Sequence, residues 1–241
     1  MVNFGLSLII PAFNEEKRLH TAFKEIKKLL KENIFPEVEI IFVNDGSTDD
    51  TEKIIKEFIK ENKEINSKLI NLEKNEGKGE AVKQGILQAS EDFSLICDTD
   101  MSTPLLEIEK FIEEMSKGTK IIIGSRRLPN SNLIKKQPWH RQKMGNIYGL
   151  LASLFTGLYE IKDFGCGFKV FKNPEAKKIF NKLIIKGWIF DTEVLYLAKK
   201  NNIEIKQVGV IWKNNEESKV KIISGIFSSI KDLIKIKLKH R

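Results

Sequence analysis

Two carboxylates stand one residue apart where an apolar run ends, in Leu95-Ile96-Cys97-Asp98-Thr99-Asp100-Met101-Ser102-Thr103-Pro104. Asp98 and Asp100 point to opposite faces if a strand runs through them. They converge if the strand stops at Asp98 and the chain turns. Converging, they suit a hard divalent cation, Mg2+ or Mn2+, which one or two carboxylates can hold while positions stay open for phosphate oxygens. Such a centre could grip a diphosphate and neutralise it as it leaves. Alone, D-x-D is most often a solvated turn, so its meaning depends on its company.

Three other clusters carry complementary groups. Asn75-Glu76-Gly77-Lys78-Gly79 precedes a helical pattern. It offers close backbone approach, a cation in Lys78 and free N–H groups, which suit an anion; the alternative is an ordinary glycine turn. Asp45 follows an apolar run and can accept hydrogen bonds from a ribose or a base, or brace its own turn. Arg126 can hold a phosphate bidentately or pair with a nearby acid.

The elements before these clusters decide where they sit. Residues 5–10 form an apolar run stopped by Pro11, as a buried parallel strand does. Leu19, Phe23, Ile26 and Leu30 predict a helix over 16–31. A strand at 38–43 leads to a helix carrying Ile54, Ile55, Phe58 and Ile59, with Asp49 and Glu52 as its N-terminal cap. Strands at 68–72, 93–97 and 120–123 alternate with helices over Ala81 to Ala89 and Leu105 to Met115, the latter capped by Thr103 with Pro104 at its first position. Five alternations predict an α/β layer with a mostly parallel sheet. Ligands of such sheets bind beyond the carboxyl ends of the strands. Every polar cluster above follows a strand, so one crevice can collect them all.

The second half is less regular. Residues 128–139 read as a long flexible loop, a length that often serves as a lid. A helix at 140–158, a tight turn at 163–168 into a strand, helices from Asn173 and through Lys200, and one strand over 203–212 follow. Ile223, Phe227, Ile230 and Ile234 mark a terminal amphipathic helix.

Composition excludes several classes. No stretch reaches the roughly 18 apolar residues of a membrane-spanning helix, and the N-terminus lacks a signal pattern, so a cytoplasmic protein is expected. Cys97 and Cys166 are too few for a disulfide framework and lack metal spacing. Of the net charge of +8, half lies in residues 231–241, where five basic residues meet one acid, Asp232. Its plain reading is a solvated helix face; its sharper reading is attraction to an anionic membrane surface. No aromatic-rich motif supports nucleic-acid binding.

Taken together, the words Ile10-Pro11-Ala12-Phe13-Asn14-Glu15-Glu16, Val43-Asn44-Asp45-Gly46-Ser47-Thr48-Asp49, Asn75-Glu76-Gly77-Lys78-Gly79 and Asp98-Thr99-Asp100 appear in order. So do Cys166-Gly167-Phe168-Lys169-Val170-Phe171, Phe190-Asp191-Thr192-Glu193, and Trp212 with Ser218-Lys219-Val220. In this the chain resembles the family 2 inverting glycosyltransferases, and within them the branch that glycosylates dolichyl or polyprenyl phosphates. The Q-x-x-R-W word of processive polysaccharide synthases is not supplied by residues 137–141.

The resemblance implies an α/β GT-A fold with a single mostly parallel sheet flanked by helices. It implies one domain over 1–241: a Rossmann-like nucleotide-sugar-binding half (1–127), an acceptor-side half (128–218) and a basic amphipathic helix (219–241). Pro11, Phe13, Glu15, Val43 and Asp45 would line the nucleoside pocket, with Lys78, Asp98 and Thr99 on the ribose–diphosphate side. Asp98, Asp100 and Ser102 would serve the metal. Arg126, Arg141 and Lys219 would surround the donor or acceptor phosphates. Asp163 and Asp191 remain candidate bases or sugar-hydroxyl ligands, with bracing a turn or capping a helix as the alternative. The implied partners are a nucleotide-sugar donor, UDP-glucose ahead of GDP-mannose, and a polyprenyl phosphate acceptor reached from the cytoplasmic face of a membrane. A non-lipid acceptor and a non-catalytic nucleotide-sugar-binding subunit are the alternatives.

Overall fold

The computed structural model describes residues 2–135, 138–214 and 222–240, without the side chains of residues 140 and 222–228. Within its main sheet lies β1 (Leu6–Ala12), whose residues are nearly all buried. Leu8 and Ile10 face one core cluster and Ile9 the other. Burial on both faces is the reason this strand reads as an unbroken apolar run. β2 (Val38–Asn44) and β4 (Phe93–Ile96) flank β1 in parallel, and β3 (Ser67–Asn71) lies outside β2. β5 (Ile121–Ser125), β7 (Lys169–Lys172) and β8 (Ile205–Gly209) complete a seven-stranded sheet of order β3-β2-β1-β4-β7-β5-β8. The expected mostly parallel sheet is present, with β7 antiparallel to both neighbours.

Helices cover both faces. α1 (Leu19–Lys31), α2 (Thr51–Glu61) and a 3-10 helix (Leu105–Phe111) running into α4 (Ile112–Ser116) lie on one side. α3 (Lys78–Gln88), α5 (Trp139–Thr156), α6 (Asn173–Phe180), α7 (Phe190–Lys200) and α8 (Ile222–Lys239) lie on the other. The first helix starts three residues later than its periodicity predicts. Asn14 takes a left-handed φ of 54°, and the N–H groups of Asn14, Glu15 and Glu16 donate to Ser47, Thr51 and Asp49. That turn is held by the neighbouring loop, so it cannot be helical. The helix expected after Thr103 opens as the 3-10 turn, with Pro104 just before it and no side-chain cap.

Two predictions for the second half are corrected. The 128–139 loop contains β6 (Asn132–Lys135), and the single strand over 203–212 divides into β8 and β9 (Ile211–Lys213). β6 and β9 pair in parallel as a small second sheet. The partner of β6 lies about eighty residues away in sequence, so no local pattern announces it. The small sheet has a positional role. The N–H of Lys213 donates to Ser102 O at 2.8 Å and that of Ile211 to Glu107 Oε2 at 2.7 Å. β9 thereby clasps the segment that follows the two carboxylates.

Candidate active site

β4 ends at Ile96 and the chain turns at once, with Met101 at φ 48° and its N–H donating to Asp98 O. The strand therefore stops before the acids, the condition under which they share a site. Asp98 Oδ1 meets Lys78 Nζ at 2.5 Å. Burial alone would raise the Asp98 carboxyl, but the ammonium beside it holds it below its ordinary value. Asp100 accepts the Ser102 N–H at 2.9 Å and lies 4.0 Å from Arg18. Burial and the negative charge of Asp98 raise its carboxyl. The two acids repel each other, and the closer cation, Lys78, sits on Asp98, while Asp100 has only the longer contact to Arg18.

Room for Asp98 comes from the opposite half of the chain. A Cβ at Gly167 would stand 2.4 Å from Asp98 Oδ2, so this glycine of the Cys-Gly-Phe-Lys word is a space requirement.

The glycine turn before α3 does something other than the sequence suggests. Three of its five N–H groups, those of Glu76, Gly77 and Gly79, are committed. Those of Glu76 and Gly77 donate to the Asp45 carboxylate at 2.8 and 3.0 Å. Those of Gly79 and Glu80 donate to Lys186 O at 2.7 and 3.3 Å. A Cβ at Gly79 would lie 2.6 Å from Ile185 O, which is why the chain needs glycine there. The turn thereby aims the side chain of Lys78 at Asp98. Asp45, 2% exposed, braces the 76–77 turn rather than its own.

Half-buried Arg126 and buried Asp163 form one unit. Asp163 accepts from Arg126 Nε at 2.7 Å, Nη2 at 2.8 Å, the Arg126 N–H at 3.0 Å and the Gly165 N–H at 3.2 Å. Two carboxylate oxygens offer about four acceptor positions, so all are filled. Burial would raise this carboxyl, but the guanidinium outweighs it and holds it well below the usual carboxylate range. Arg126 also lies over the Trp212 ring at 5.4 Å. Of the alternatives read from sequence, Arg126 takes the nearby acid, and Asp163 has the setting of a brace.

Asp191 differs. Its Oδ1 meets Lys169 Nζ at 2.8 Å, and its carboxyl is raised by burial, partly offset by Lys169 and Lys78. Two residues on, the wholly buried Glu193 accepts the N–H groups of Ile184 and Ile185 at 3.0 and 2.8 Å and meets His240 Nε2 at 2.6 Å. It holds the turn whose next carbonyl, Lys186 O, receives Gly79.

The remaining residues divide. Glu15 pairs with Arg18 at 2.7 Å, and Pro11 and Phe13 are half-buried at the end of β1. Val43 is wholly buried in the core, so its side chain lines no crevice. Thr99 is 4% exposed between the acids. Arg141 is half-buried in the first turn of α5. Lys219 lies outside the described residues. Sequence reasoning missed Lys169, a lysine with 0% exposure whose signal was a charge inside the apolar run 168–171. It also missed Arg18, legible only as an i,i+3 partner of Glu15. Burial raises both thiols, Cys166 to about 11, so neither cysteine is reactive. Among the described residues no group of three or more His, Cys, Asp or Glu side chains could hold a metal.

A family model described as glycosyl transferase family 2 matches residues 7–180, from β1 to the end of α6. A dolichyl-phosphate beta-glucosyltransferase of Dictyostelium discoideum is 36% identical over 99% of this chain and 75% of that protein. The human protein of that name is 30% identical over 98% and 75%. Among solved structures, glucosyl-3-phosphoglycerate synthase of Mycobacterium tuberculosis, crystallised with Mn2+, UDP-glucose and phosphoglyceric acid, superposes with a TM-score of 0.71. That superposition covers 98% of this chain and 79% of the other at 17% identity, a likeness of fold. With a profile match across most of its length, the chain belongs to glycosyl transferase family 2.

Proposed function

We propose that this chain transfers glucose from UDP-glucose to the phosphate of a dolichyl or other polyprenyl phosphate, with inversion. The bond from the sugar's anomeric carbon to the diphosphate breaks, a bond to an acceptor phosphate oxygen forms, and UDP leaves. The observation that carries this reading is the match along nearly the whole chain to dolichyl-phosphate beta-glucosyltransferases. The grouping of Asp98, Asp100 and Lys78 beyond β4 agrees with it.

Asp98 and Asp100 fit Mg2+ or Mn2+. They are neighbouring acids of which Asp100 is raised by burial and by the charge of Asp98, a repulsion a divalent cation would relieve. With no third His, Cys, Asp or Glu in reach among the described residues, Asp98 and Asp100 would hold the ion, with Ser102 beside them, and the remaining positions would be left to phosphate oxygens and water. When bound, the ion would supply charge neutralisation for the departing diphosphate. Ser102 acts through Asp100, which accepts its N–H. Lys78 adds a second positive charge beside Asp98. The acceptor phosphate is already anionic, so the chain has less need of a base than of cations that bring two anions together. Arg141 and Lys219 are the proposed acceptor-side cations. Asp163 braces Arg126 and abstracts no proton.

The acceptor's lipid demands membrane contact. Among the described residues no helix is long and apolar enough to cross a membrane. Two neighbouring helices, however, expose apolar side chains: Ile147, Leu150 and Leu154 on α5, Ile234 and Leu238 on α8. α8 buries Ser229, Leu233 and Ile236 against the core. Its exposed Lys231 and Lys235 stand among the outward residues, as on a helix lying at an anionic lipid surface. Of the stripe read from sequence, Ile234 faces outward and Ile230 is half-buried, while the side chains of Ile223 and Phe227 lie outside the described residues. The protein is accordingly proposed to work from the cytoplasmic side as a peripheral enzyme.

The test offers UDP- and GDP-sugars with short polyprenyl phosphates and reads the lipid product by mass spectrometry. Glucosyl-phosphoryl-prenol from UDP-glucose is expected. Product from GDP-mannose alone would replace the donor assignment, and transfer only to water-soluble acceptors would replace the lipid.

A further inference from the structure

We infer that Lys169 is a positioning residue of this reaction, holding Asp191 by one carboxylate oxygen so that the other is presented to the donor sugar. The inference rests on the glucosyl-transfer reading above. Lys169 opens β7, hydrogen-bonded between β4 and β5, and its side chain is 0% exposed. An ammonium has three donors, and three acceptors meet it: Asp191 Oδ1 at 2.8 Å, Phe164 O at 3.2 Å, and Cys166 O. Two of these belong to the turn that carries Asp163 and Gly167. The third is on the first turn of α7. One buried cation therefore fixes, at a single point, the turn against which Asp98 rests and the carboxylate of Asp191.

A buried lysine is costly to keep, since its desolvation is offset only by complete pairing. A core needing only stability would do as well with an apolar residue of the same length. Asp191 gives the lysine a purpose. Its side chain keeps 10% of its surface open, and its only described polar partner is Lys169. The contrast with Asp163, whose lone pairs are all filled, is direct. A carboxylate fixed through one oxygen and open at the other can accept a sugar hydroxyl in one orientation.

The test compares Lys169→Met, Asp191→Asn and the double variant in glucosyl transfer from UDP-glucose to a short polyprenyl phosphate. Each single variant is expected to lower kcat about 10- to 100-fold with KM for UDP-glucose within about threefold, and the double variant to fall no further than the worse single one. A merely structural lysine would lower the melting temperature, leave kcat per folded molecule intact and add its loss independently of Asp191; that result would overturn the inference. So would an Asp191→Asn protein with undiminished kcat. If Lys169→Met fails to fold because it strands the Asp191 charge, the double variant removes both charges. Its recovery of folding, with kcat matching Asp191→Asn alone, is the expected result, and a kcat well below that of Asp191→Asn would refute the pairing. Crystal structures give a readout independent of activity: Lys169→Met should show the Asp191 carboxylate turned from its present position, and an unmoved carboxylate would contradict the assignment. Should the wild-type protein ignore UDP-glucose while that rotation is seen, the donor assignment fails and the lysine's role stands.

Discussion

Asp100 and Asp163 sit on turns at the same end of one sheet, the first after β4 and the second before the antiparallel β7. Their surroundings are opposite. Asp163 has four donors on its two oxygens, and a guanidinium holds it far into its charged form. Asp100 has the backbone N–H and the hydroxyl of Ser102, a distant arginine and another carboxylate beside it. The pair separates two uses of an acid. One whose acceptor positions are filled by the chain is part of the scaffold, however close it lies to the chemistry. One left short of positive charge has capacity for a ligand, and the crevice places its shortage where a divalent cation and a diphosphate would relieve it.

The sharpest way to break this contrast is to neutralise the open acid. Asp100→Asn keeps size and the Ser102 contact but removes the charge. Transfer should fall on the order of ten-thousandfold, about 5 kcal/mol in the transition state, while the melting temperature hardly moves. Undiminished transfer with Mg2+ or Mn2+ would remove the metal from the account. Asp163→Asn should do the reverse. It leaves the half-buried Arg126 facing an amide, which costs about 3 kcal/mol of folding stability by denaturant titration. The pH dependence has a definite sign. A carboxyl held below its unfolded value of about 3.9 contributes fully above that pH and loses its contribution as pH falls through the folded value. The stability gap between wild type and Asp163→Asn should therefore be flat above about pH 5 and narrow below about pH 4. A gap that widened in acid would mean Asp163 is not held in its charged form.

A smaller effect should appear where the two settings touch. Gly167→Ala places a methyl 2.4 Å from Asp98 Oδ2. The backbone there is not left-handed, so the cost is one of space. It should amount to about 1–3 kcal/mol, shared between stability and activity according to whether the turn or the carboxylate moves. If Asp98 gives way, metal affinity measured by Mn2+ titration falls together with transfer. If the turn gives way, the melting temperature falls and metal affinity holds.

How far the sequence could be read follows the same division. The β1, β2 and β4 runs and the acids at the strand end are local patterns and appear where the sequence predicts them; the helical stripes do so less closely, since α1 starts late and Ile234 of the α8 stripe faces outward. The crevice groups also follow from chain order, since parallel strands deliver their polar ends to one side. What stayed hidden depends on partners far apart in the chain. β6 pairs with β9, Asp45 braces the 76–77 turn, Lys186 takes the N–H groups of α3, and Lys169 reaches Asp191. None of these has a spacing to detect. A charge within an apolar run, as at Lys169, is the nearest thing to a signal, and it announces a buried partner without naming it.

The weakest expected effect tests a filled acid from its far side. Glu193 is wholly buried with three partners, of which His240, just beyond α8, is one. Removing that partner by His240→Ala leaves both backbone N–H groups of Ile184 and Ile185 on the carboxylate, so Glu193 stays largely satisfied. The loss should be about 1 kcal/mol in stability, since one hydrogen bond goes and the buried acid keeps the rest. Glu193→Ala should cost more than the histidine variant, because it strands two N–H groups and loosens the turn behind Gly79. If the two variants instead cost the same, the histidine would be the member that holds Glu193 in place. The brace on the Lys78 turn would then depend on the seating of α8. Transfer rates for the two variants, compared at matched folded fraction, decide between these cases: an intact rate in His240→Ala with a reduced rate in Glu193→Ala is the outcome the hydrogen bonds call for.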